Sequence, residues 1–149
     1  MNKNVKIIMA ILMAAAMLWG GIASVYASDA DAGVAPCLDN LHDATITFGV
    51  IDPGVANFVV SYNGNETTFI QAKLTVTFQK KFLGLFWRTV DIGTTNDEWV
   101  RYSTDLRGEF YDTITMDGTG TYRANFKLEI YGTSGTTDVI EESIDCKYN

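Results

Sequence analysis

The sequence has few of the side chains on which most enzyme mechanisms depend. Its 149 residues include two cysteines and a single histidine, His42. The nucleophile motif Gly-x-Ser-x-Gly, the zinc motif His-Glu-x-x-His and a glycine-rich phosphate loop are all missing. Carboxylates are plentiful, but a small domain seldom provides the deep cleft that glycoside hydrolysis uses. We therefore predict that the protein is not an enzyme and has no cofactor.

A metal site has equally little support. Two cysteines and one histidine do not complete a tetrahedral shell without a carboxylate. Acidic residues do crowd one stretch of the chain, and because hard oxygen ligands suit Ca²⁺, a calcium site is an alternative hypothesis. No regularly spaced Asp-x-Asp-x-Asp loop accompanies them, so we interpret them as solvated surface charge and predict no metal. These residues are Asp91, Asp97, Glu98, Asp105, Glu109, Asp112 and Asp117.

The N-terminus has the three parts of a secretory signal peptide. Met1–Lys6 is short and cationic, and residues 7–19 are uncharged and apolar. Residues 25–27, Val-Tyr-Ala, carry small or modest side chains at the positions that a signal peptidase reads. The apolar run is short for a transmembrane span, although an uncleaved anchor is the alternative. We predict a leader over residues 1–27 that is removed, and a secreted, extracellular protein.

The charge of the mature chain disfavours nucleic acid as a partner. Lys3 and Lys6 lie in the leader, which has no acidic residue, so its removal leaves nine basic and eighteen acidic residues. A surface with this net charge of −9 repels phosphate backbones, and it repels an anionic membrane at long range. A local group of cations would reverse the effect, and residues 80–88 contain such a group.

The two cysteines, Cys37 and Cys146, lie near the two ends of the mature chain. An exported protein meets an oxidising environment, where an exposed thiol is a liability, so we predict a disulfide between them. The bond would close a loop of about 110 residues and stabilise the fold by about 4 kcal/mol in the chain-entropy model. Two free thiols are the alternative.

From Ala44 onward, apolar and polar residues alternate, which indicates strands with one buried and one solvated face. Turn signals such as Asp52-Pro53-Gly54 and Asn63-Gly64 separate the runs. About eight strands at this spacing predict a single antiparallel β-sandwich of the immunoglobulin or fibronectin III type over residues 43–149, after a flexible arm over residues 28–42. The predicted core consists of Ile46, Phe48, Phe58, Val60, Leu74, Val76, Phe78, Tyr122, Phe126, Leu128, Ile130 and Ile144.

The stretch from Met116 to Ala124 resembles the tyrosine corner of immunoglobulin-like sandwiches. The resemblance implies that Tyr122 opens the penultimate strand and hydrogen-bonds back to the preceding turn. Asp117 and Gly120 match the acidic and small residues often found before that tyrosine. Ala124 stands where antibody domains have a cysteine, so the resemblance does not extend to their inter-sheet disulfide.

Three further features are together similar to small exported proteins of Gram-positive bacteria that have no assigned function. A long strand ends in the pair Lys80-Lys81, the aromatic run Leu85-Phe86-Trp87 follows, and Gly120–Arg123 reads Gly-Thr-Tyr-Arg. The likeness covers roughly residues 44–148. It implies a fold and a compartment, and it implies no activity.

Residues 80–88 are the most unusual segment, because large apolar residues surround a glycine and three cations bracket them. A projecting hairpin of this kind would press its apolar tip into a lipid interface or a partner's groove, while its cations meet anionic groups. The alternative, which is commoner in small domains, is that the segment folds over one end of the sandwich and plugs it. The candidate binding residues are Lys80, Lys81, Phe82, Leu83, Phe86, Trp87 and Arg88.

Aromatic side chains give a second binding hypothesis, since exported β-sandwiches often use them as flat platforms for sugar rings. The alternative is that most of them are core residues or cross-strand pairs. The candidates are Trp87, Trp99, Tyr102, Tyr111 and Tyr131. We predict a secreted, non-catalytic binding module, and the sequence leaves open whether its partner is a cell-surface glycan, a membrane interface or a protein.

Overall fold

The computed structural model describes the backbone of Gly20–Tyr26 and all of residues 38–149. Nine strands and one turn of 3-10 helix, Thr95–Asp97, make up the regular structure of these residues. The strands are β1 (Gly20–Tyr26), β2 (Leu41–Asp52), β3 (Val55–Gly64), β4 (Phe69–Phe82), β5 (Phe86–Thr89), β6 (Glu98–Ser103), β7 (Arg107–Thr115), β8 (Gly120–Gly132) and β9 (Thr137–Tyr148). Eight of these strands, β2 to β9, follow the predicted leader, so the predicted number of about eight is confirmed.

The strands form two antiparallel sheets that pack face to face, so the predicted β-sandwich is confirmed. The first sheet has the order β1-β2-β3-β7, and the second has the order β5-β4-β8-β9, with β6 also paired to β4. With β1 set aside, this division corresponds to strands A, B and E on one side and strands C, F and G on the other side of immunoglobulin-like sandwiches.

The core lies between the two sheets, and all twelve residues of the predicted core are buried. Phe58 lies at its centre, with its ring centroid 4.9 Å from that of Trp99 and 5.9 Å from those of Phe78 and Phe126. These residues could be predicted from the alternation of apolar and polar residues, because every second residue of a strand faces the opposite sheet. Burial of each large apolar side chain contributes about 1.5–3 kcal/mol.

One residue departs from the alternation, which predicts that Ile70 faces inward with the even-numbered residues of β4. Ile70 has the parity of the core residues of β4, yet its side chain is 51% exposed. The register between β4 and β8 shifts between Phe69 and Gln71, so the start of β4 leaves the regular pleat. A bulge of this kind turns a side chain away from the face that the pattern assigns to it.

The two ends of the sandwich carry different loops and residues. The hairpin end holds the connection between β4 and β5, the loop at residues 116–119 and the last residues of β9. At the opposite end, Asn40 is fully buried and donates its N–H to the Asp138 carboxylate at 2.7 Å. Because β2 begins at Leu41 and Asn40 is buried, the folded domain begins a few residues before residue 43, within the predicted arm.

The predicted disulfide is not formed, because Cys146 is a free, buried thiol; Cys37 lies outside the described residues. Asn40, three residues after Cys37, is held beside Asp138 near the start of β9. Cys146 lies eight residues further along β9, about 26 Å away at the rise of an extended strand. Three residues span at most about 11 Å, and a disulfide needs Cα atoms within about 7 Å. The bond would thus require Asn40 to leave Asp138.

β1 falls within the segment that the sequence predicts as leader. Its register against β2 runs from Gly20 opposite Gly49 to Tyr26 opposite Asp43. The predicted cleavage point directly follows this strand, so cleavage there would remove β1 and leave β2 at the edge of the first sheet. Residues 28–37 of the predicted arm lie outside the described residues, and the leader and its removal remain predictions.

Candidate functional site

The segment 80–88 is an exposed β-hairpin, which we call the aromatic hairpin. Phe82 is 41% exposed, Leu83 75%, Leu85 73% and Phe86 62%. The expectation that this segment plugs the end of the sandwich is therefore wrong for these four side chains. They form the largest concentration of exposed apolar residues along the part of the chain that the structure describes.

The hairpin projects because β4 stops pairing with β8 two residues before β4 ends. The last pair between β4 and β8 joins Lys80 to Tyr122, and β4 continues to Phe82 with β5 as its partner. Beyond Lys80 the two hairpin strands therefore bond each other, and no strand that the structure describes covers the exposed side chains of Phe82 and Phe86.

The tip of the hairpin is a tight turn with an unusual residue in it. Leu83 has a φ of 51° and Gly84 a φ of 69°, and the Leu85 N–H donates to the Phe82 carbonyl at 3.0 Å. Glycine adopts this left-handed conformation freely, whereas for leucine it costs about 1–2 kcal/mol. A strained leucine that is three-quarters exposed gains nothing from packing in the free protein, and such outliers motivate a functional hypothesis.

Cations surround the base of the hairpin, and we call Lys80, Lys81 and Arg88 the cationic collar. Lys80 lies directly opposite Arg88 across the two strands, and Lys81 lies opposite Trp87. The Arg88 guanidinium lies 3.9 Å from the Phe82 ring centroid. The sequence contains no acidic residue between Glu66 and Asp91. The positive charge of the collar is therefore not neutralised by any residue of the hairpin itself.

Trp87 is held on the outer face of the second sheet by two cations. The Arg123 guanidinium lies 4.1 Å from its ring centroid and the Lys81 ammonium lies 5.4 Å from it. Arg123 also binds Asp145 through two hydrogen bonds, of 2.6 and 3.1 Å, and these raise the pKa of the guanidinium. Trp87 is consequently half-buried and fixed in place, unlike the apolar residues of the tip.

The base of the hairpin is anchored to the loop at residues 116–119. The Lys80 ammonium donates to the Asp117 carbonyl, and the Tyr122 hydroxyl lies 2.8 Å from that same carbonyl and 2.7 Å from the Gly118 carbonyl. The back-bonding implied by the tyrosine-corner resemblance is therefore present. Beside this anchor lies a groove of about 390 Å³, whose lining includes Phe82, Arg88 and Tyr122.

The aromatic candidates for sugar binding do not form one platform. Trp99 is partly buried and packs against the core, where its ring lies edge-on to that of Phe58 and its Nε1–H donates to the Asp112 carboxylate at 2.6 Å. The exposed Tyr102 lies on β6 in the second sheet, whereas the exposed Tyr111 lies on β7 in the first sheet. Packing against the core thus accounts for Trp99, whereas Tyr102 and Tyr111 are exposed on different sheets.

The metal-binding and nucleophilic side chains of residues 38–149 are dispersed or buried. Within residues 38–149, no three histidine, cysteine or acidic side chains converge where a metal ion could be held, so the acidic stretch from Asp91 to Asp117 is dispersed. His42 is exposed near the start of β2. Burial raises the pKa of the Cys146 thiol to about 12, which keeps it protonated and unreactive. None of the helices in the described part of the chain is long and apolar enough to cross a membrane.

Comparison with known proteins adds no identification. No protein-family model matches the chain. No curated protein matches it either.

The structure brings together all seven candidate binding residues and adds two that were not among those candidates, Leu85 and Arg123. Leu85 belongs to the tip, and its place next to the glycine is the signal that identifies it. Arg123 is distant in sequence, and only the register of β4 against β8 brings it to Trp87.

Proposed function

We propose that this protein is a secreted, non-catalytic binding module that attaches to anionic lipid bilayers through the aromatic hairpin. The exposure of four large apolar side chains above a collar of three cations is the observation that carries the proposal. Such a pairing of apolar tip and cationic base is typical of segments that lie in a membrane interface.

The energetics favour shallow and reversible attachment. Each apolar side chain of the tip contributes up to about 1.5–3 kcal/mol when it leaves water. Each collar cation near an anionic surface contributes about 1 kcal/mol. The acidic remainder of the mature chain opposes approach, so the domain binds with the hairpin foremost and its acidic surfaces turned away.

The arrangement of the hairpin also favours a lipid surface over a deep protein groove. Phe82 and Phe86 form a cross-strand pair on one face, and Leu83 and Leu85 extend the apolar surface around the turn. Four exposed apolar side chains therefore occupy the tip, an arrangement that suits insertion into a fluid interface. The collar follows immediately behind, at the depth of lipid headgroups.

Vesicle sedimentation tests the proposal. The purified protein should pellet with vesicles that contain phosphatidylglycerol, should pellet much less with pure phosphatidylcholine, and should be released as salt is raised. The Leu83→Ser/Leu85→Ser variant should lose most of the binding because it removes the centre of the apolar tip. Ile70→Ser is the matched control, since Ile70 is a similarly exposed apolar residue at the opposite end.

The charge contribution is tested separately with Lys81→Gln and Arg88→Gln, which should weaken binding to anionic vesicles and flatten its salt dependence. Equal binding by the wild type and by both the tip and collar variants would reject the proposal. Retention on cell-wall polysaccharide without any vesicle binding would reject it in favour of the carbohydrate alternative.

A further inference from the structure

The edges of the two sheets differ in their protection against pairing with another chain. The edge strands β7, β9, β5 and β6 carry charged residues, which discourage edge-to-edge association. These are Arg107, Glu109 and Asp112 in β7, Asp138, Glu141, Glu142, Asp145 and Lys147 in β9, Arg88 in β5, and Glu98 and Arg101 in β6. β2 has neither a charge nor a proline from Ala44 to Ile51.

β2 is also regular where it is uncharged. Its irregularities against β3 fall between Leu41 and Asp43 and between Val50 and Asp52, so the stretch 43–50 has no bulge to twist it away from a partner. In the structure an antiparallel strand, β1, occupies this edge along residues 43–49. Removal of the predicted leader takes that strand away and leaves the edge open.

We propose that the mature chain forms a dimer in which the β2 edges of two copies pair antiparallel, in place of β1. The first sheets of the two copies then join into one six-stranded sheet, with the order β7-β3-β2-β2-β3-β7. This inference rests on leader removal and does not depend on the membrane proposal.

The sequence of β2 is complementary to itself in this arrangement. The segment that β1 covers has Ile46 at its middle, and a twofold axis there places Thr45 opposite Thr47 of the second copy. Thr–Thr pairs of this kind are favourable across antiparallel strands. The same axis places Asp43 opposite Gly49, so no like charges meet. An isologous interface of this type closes after two copies.

A second copy fits the open edge better than the chain's own arm does. Residues 28–37 contain Asp29, Asp31 and Pro36, and a proline cannot donate to a strand ladder. The arm leads into Asn40, which is held at the end of the sandwich by the Asp138 carboxylate.

Sedimentation of the secreted protein tests the inference. The full chain is expressed with its own leader, the N-terminus of the secreted product is determined by mass spectrometry, and the molar mass is measured by analytical ultracentrifugation across a concentration series. We expect a product that begins after residue 27 and has twice the mass of one chain.

Charged substitutions on β2 test whether this strand forms the dimer interface. The Thr45→Lys/Thr47→Lys variant should be monomeric with an unchanged circular dichroism spectrum, because lysines then face lysines across the axis. An equimolar mixture with Thr45→Glu/Thr47→Glu should restore the dimer as a heterodimer. Thr113→Lys/Thr115→Lys, on the exposed face of the edge strand β7, is the matched control and should remain dimeric.

Three results would overturn the inference. They are a processed wild type that stays monomeric at every concentration, a dimer that survives the lysine pair on β2, and a secreted product that retains β1. If the processed protein is monomeric, we would infer that the open edge of β2 is covered by the arm or by another extended chain.

Discussion

Asn40 donates its backbone N–H to the Asp138 carboxylate at 2.7 Å, and both residues are buried at the end of the sandwich opposite the aromatic hairpin. Asp138→Ala would leave this N–H buried without its acceptor. We expect the free energy of unfolding to fall by about 1–3 kcal/mol, as measured by urea denaturation. Thr137→Ala, at the exposed neighbouring position, should change it by less than about 0.5 kcal/mol. Equal effects of the two substitutions would show that the hydrogen bond does not fix the start of the domain.

Substitution of Gly132 tests the packing around Asn40 through a steric clash. A Cβ at this position would lie 1.8 Å from Oδ1 of Asn40, whose fully buried side chain is held by hydrogen bonds from Nδ2 to Thr136. Gly132→Ala should therefore destabilise the fold by about 1–3 kcal/mol or more in a thermal or urea melt. The double variant with Asn40→Ala should lose less than the two single losses added together, because the smaller side chain vacates the space. Additive losses would contradict this explanation.

Alkylation and mass spectrometry can show directly whether Cys146 is a free thiol or part of a disulfide. Cys146 is a buried, free thiol whose pKa is raised by burial to about 12, so it is protonated at neutral pH. We expect iodoacetamide at neutral pH to leave Cys146 unmodified in the native protein and to alkylate it fully in denaturant, as followed by peptide mass spectrometry. A Cys37–Cys146 peptide in a non-reducing digest would contradict the free thiol and would imply that Asn40 is displaced from Asp138.

The alternation of apolar and polar residues was sufficient to predict eight strands, the sandwich and a core that includes Phe58 and Phe126. Each of these depends on a period of two within one segment, which a single sequence displays. The tyrosine corner was predictable for a similar reason, because Tyr122 bonds to carbonyls only four and five residues before it.

The sequence could not predict properties that depend on how different strands are aligned with one another. The exposure of the aromatic hairpin follows from where β8 stops pairing with β4, and the exposure of Ile70 follows from a bulge. The separation of Asn40 and Cys146 along β9 likewise appears only when the strands are placed. Composition identified the hairpin residues, but only the placed strands decide whether Phe86 meets water or the core.

The pair of Lys73 and Glu129 makes stability depend on pH. Their side chains meet at 2.9 Å, and this bond lowers the pKa of Glu129 and raises that of Lys73. Because the pKa of Glu129 is lower in the folded state, its contribution is present above the unfolded pKa of about 4.3 and is lost as pH falls through the folded value. Because the pKa of Lys73 is raised, its contribution is present below about 10.4 and is lost as pH rises through the folded value.

Glu129→Gln should accordingly reduce the free energy of unfolding by up to about 1 kcal/mol at neutral pH, and the difference from wild type should vanish in acid. Urea titrations from acid to neutral pH measure this difference. Glu141→Gln, which alters an exposed acid of β9, is the matched control and should change the free energy of unfolding at neutral pH by less than about 0.5 kcal/mol. A difference for Glu129→Gln that persists in acid would mean that the pair is not its source.

Leu83 at the tip of the aromatic hairpin couples stability to binding. Its left-handed backbone conformation is unfavourable for leucine and tolerated by asparagine, so Leu83→Asn should stabilise the free protein by about 1 kcal/mol. Leu85→Asn removes an equally exposed leucine outside that conformation and should give no such gain. Both substitutions should weaken sedimentation with anionic vesicles, because each takes an apolar side chain from the tip. A stabilised Leu83→Asn variant that still binds vesicles fully would mean that the strain has another cause and that the tip does not enter the membrane. Stabilisation together with lost binding would show that the protein maintains a strained leucine for the sake of the surface it contacts.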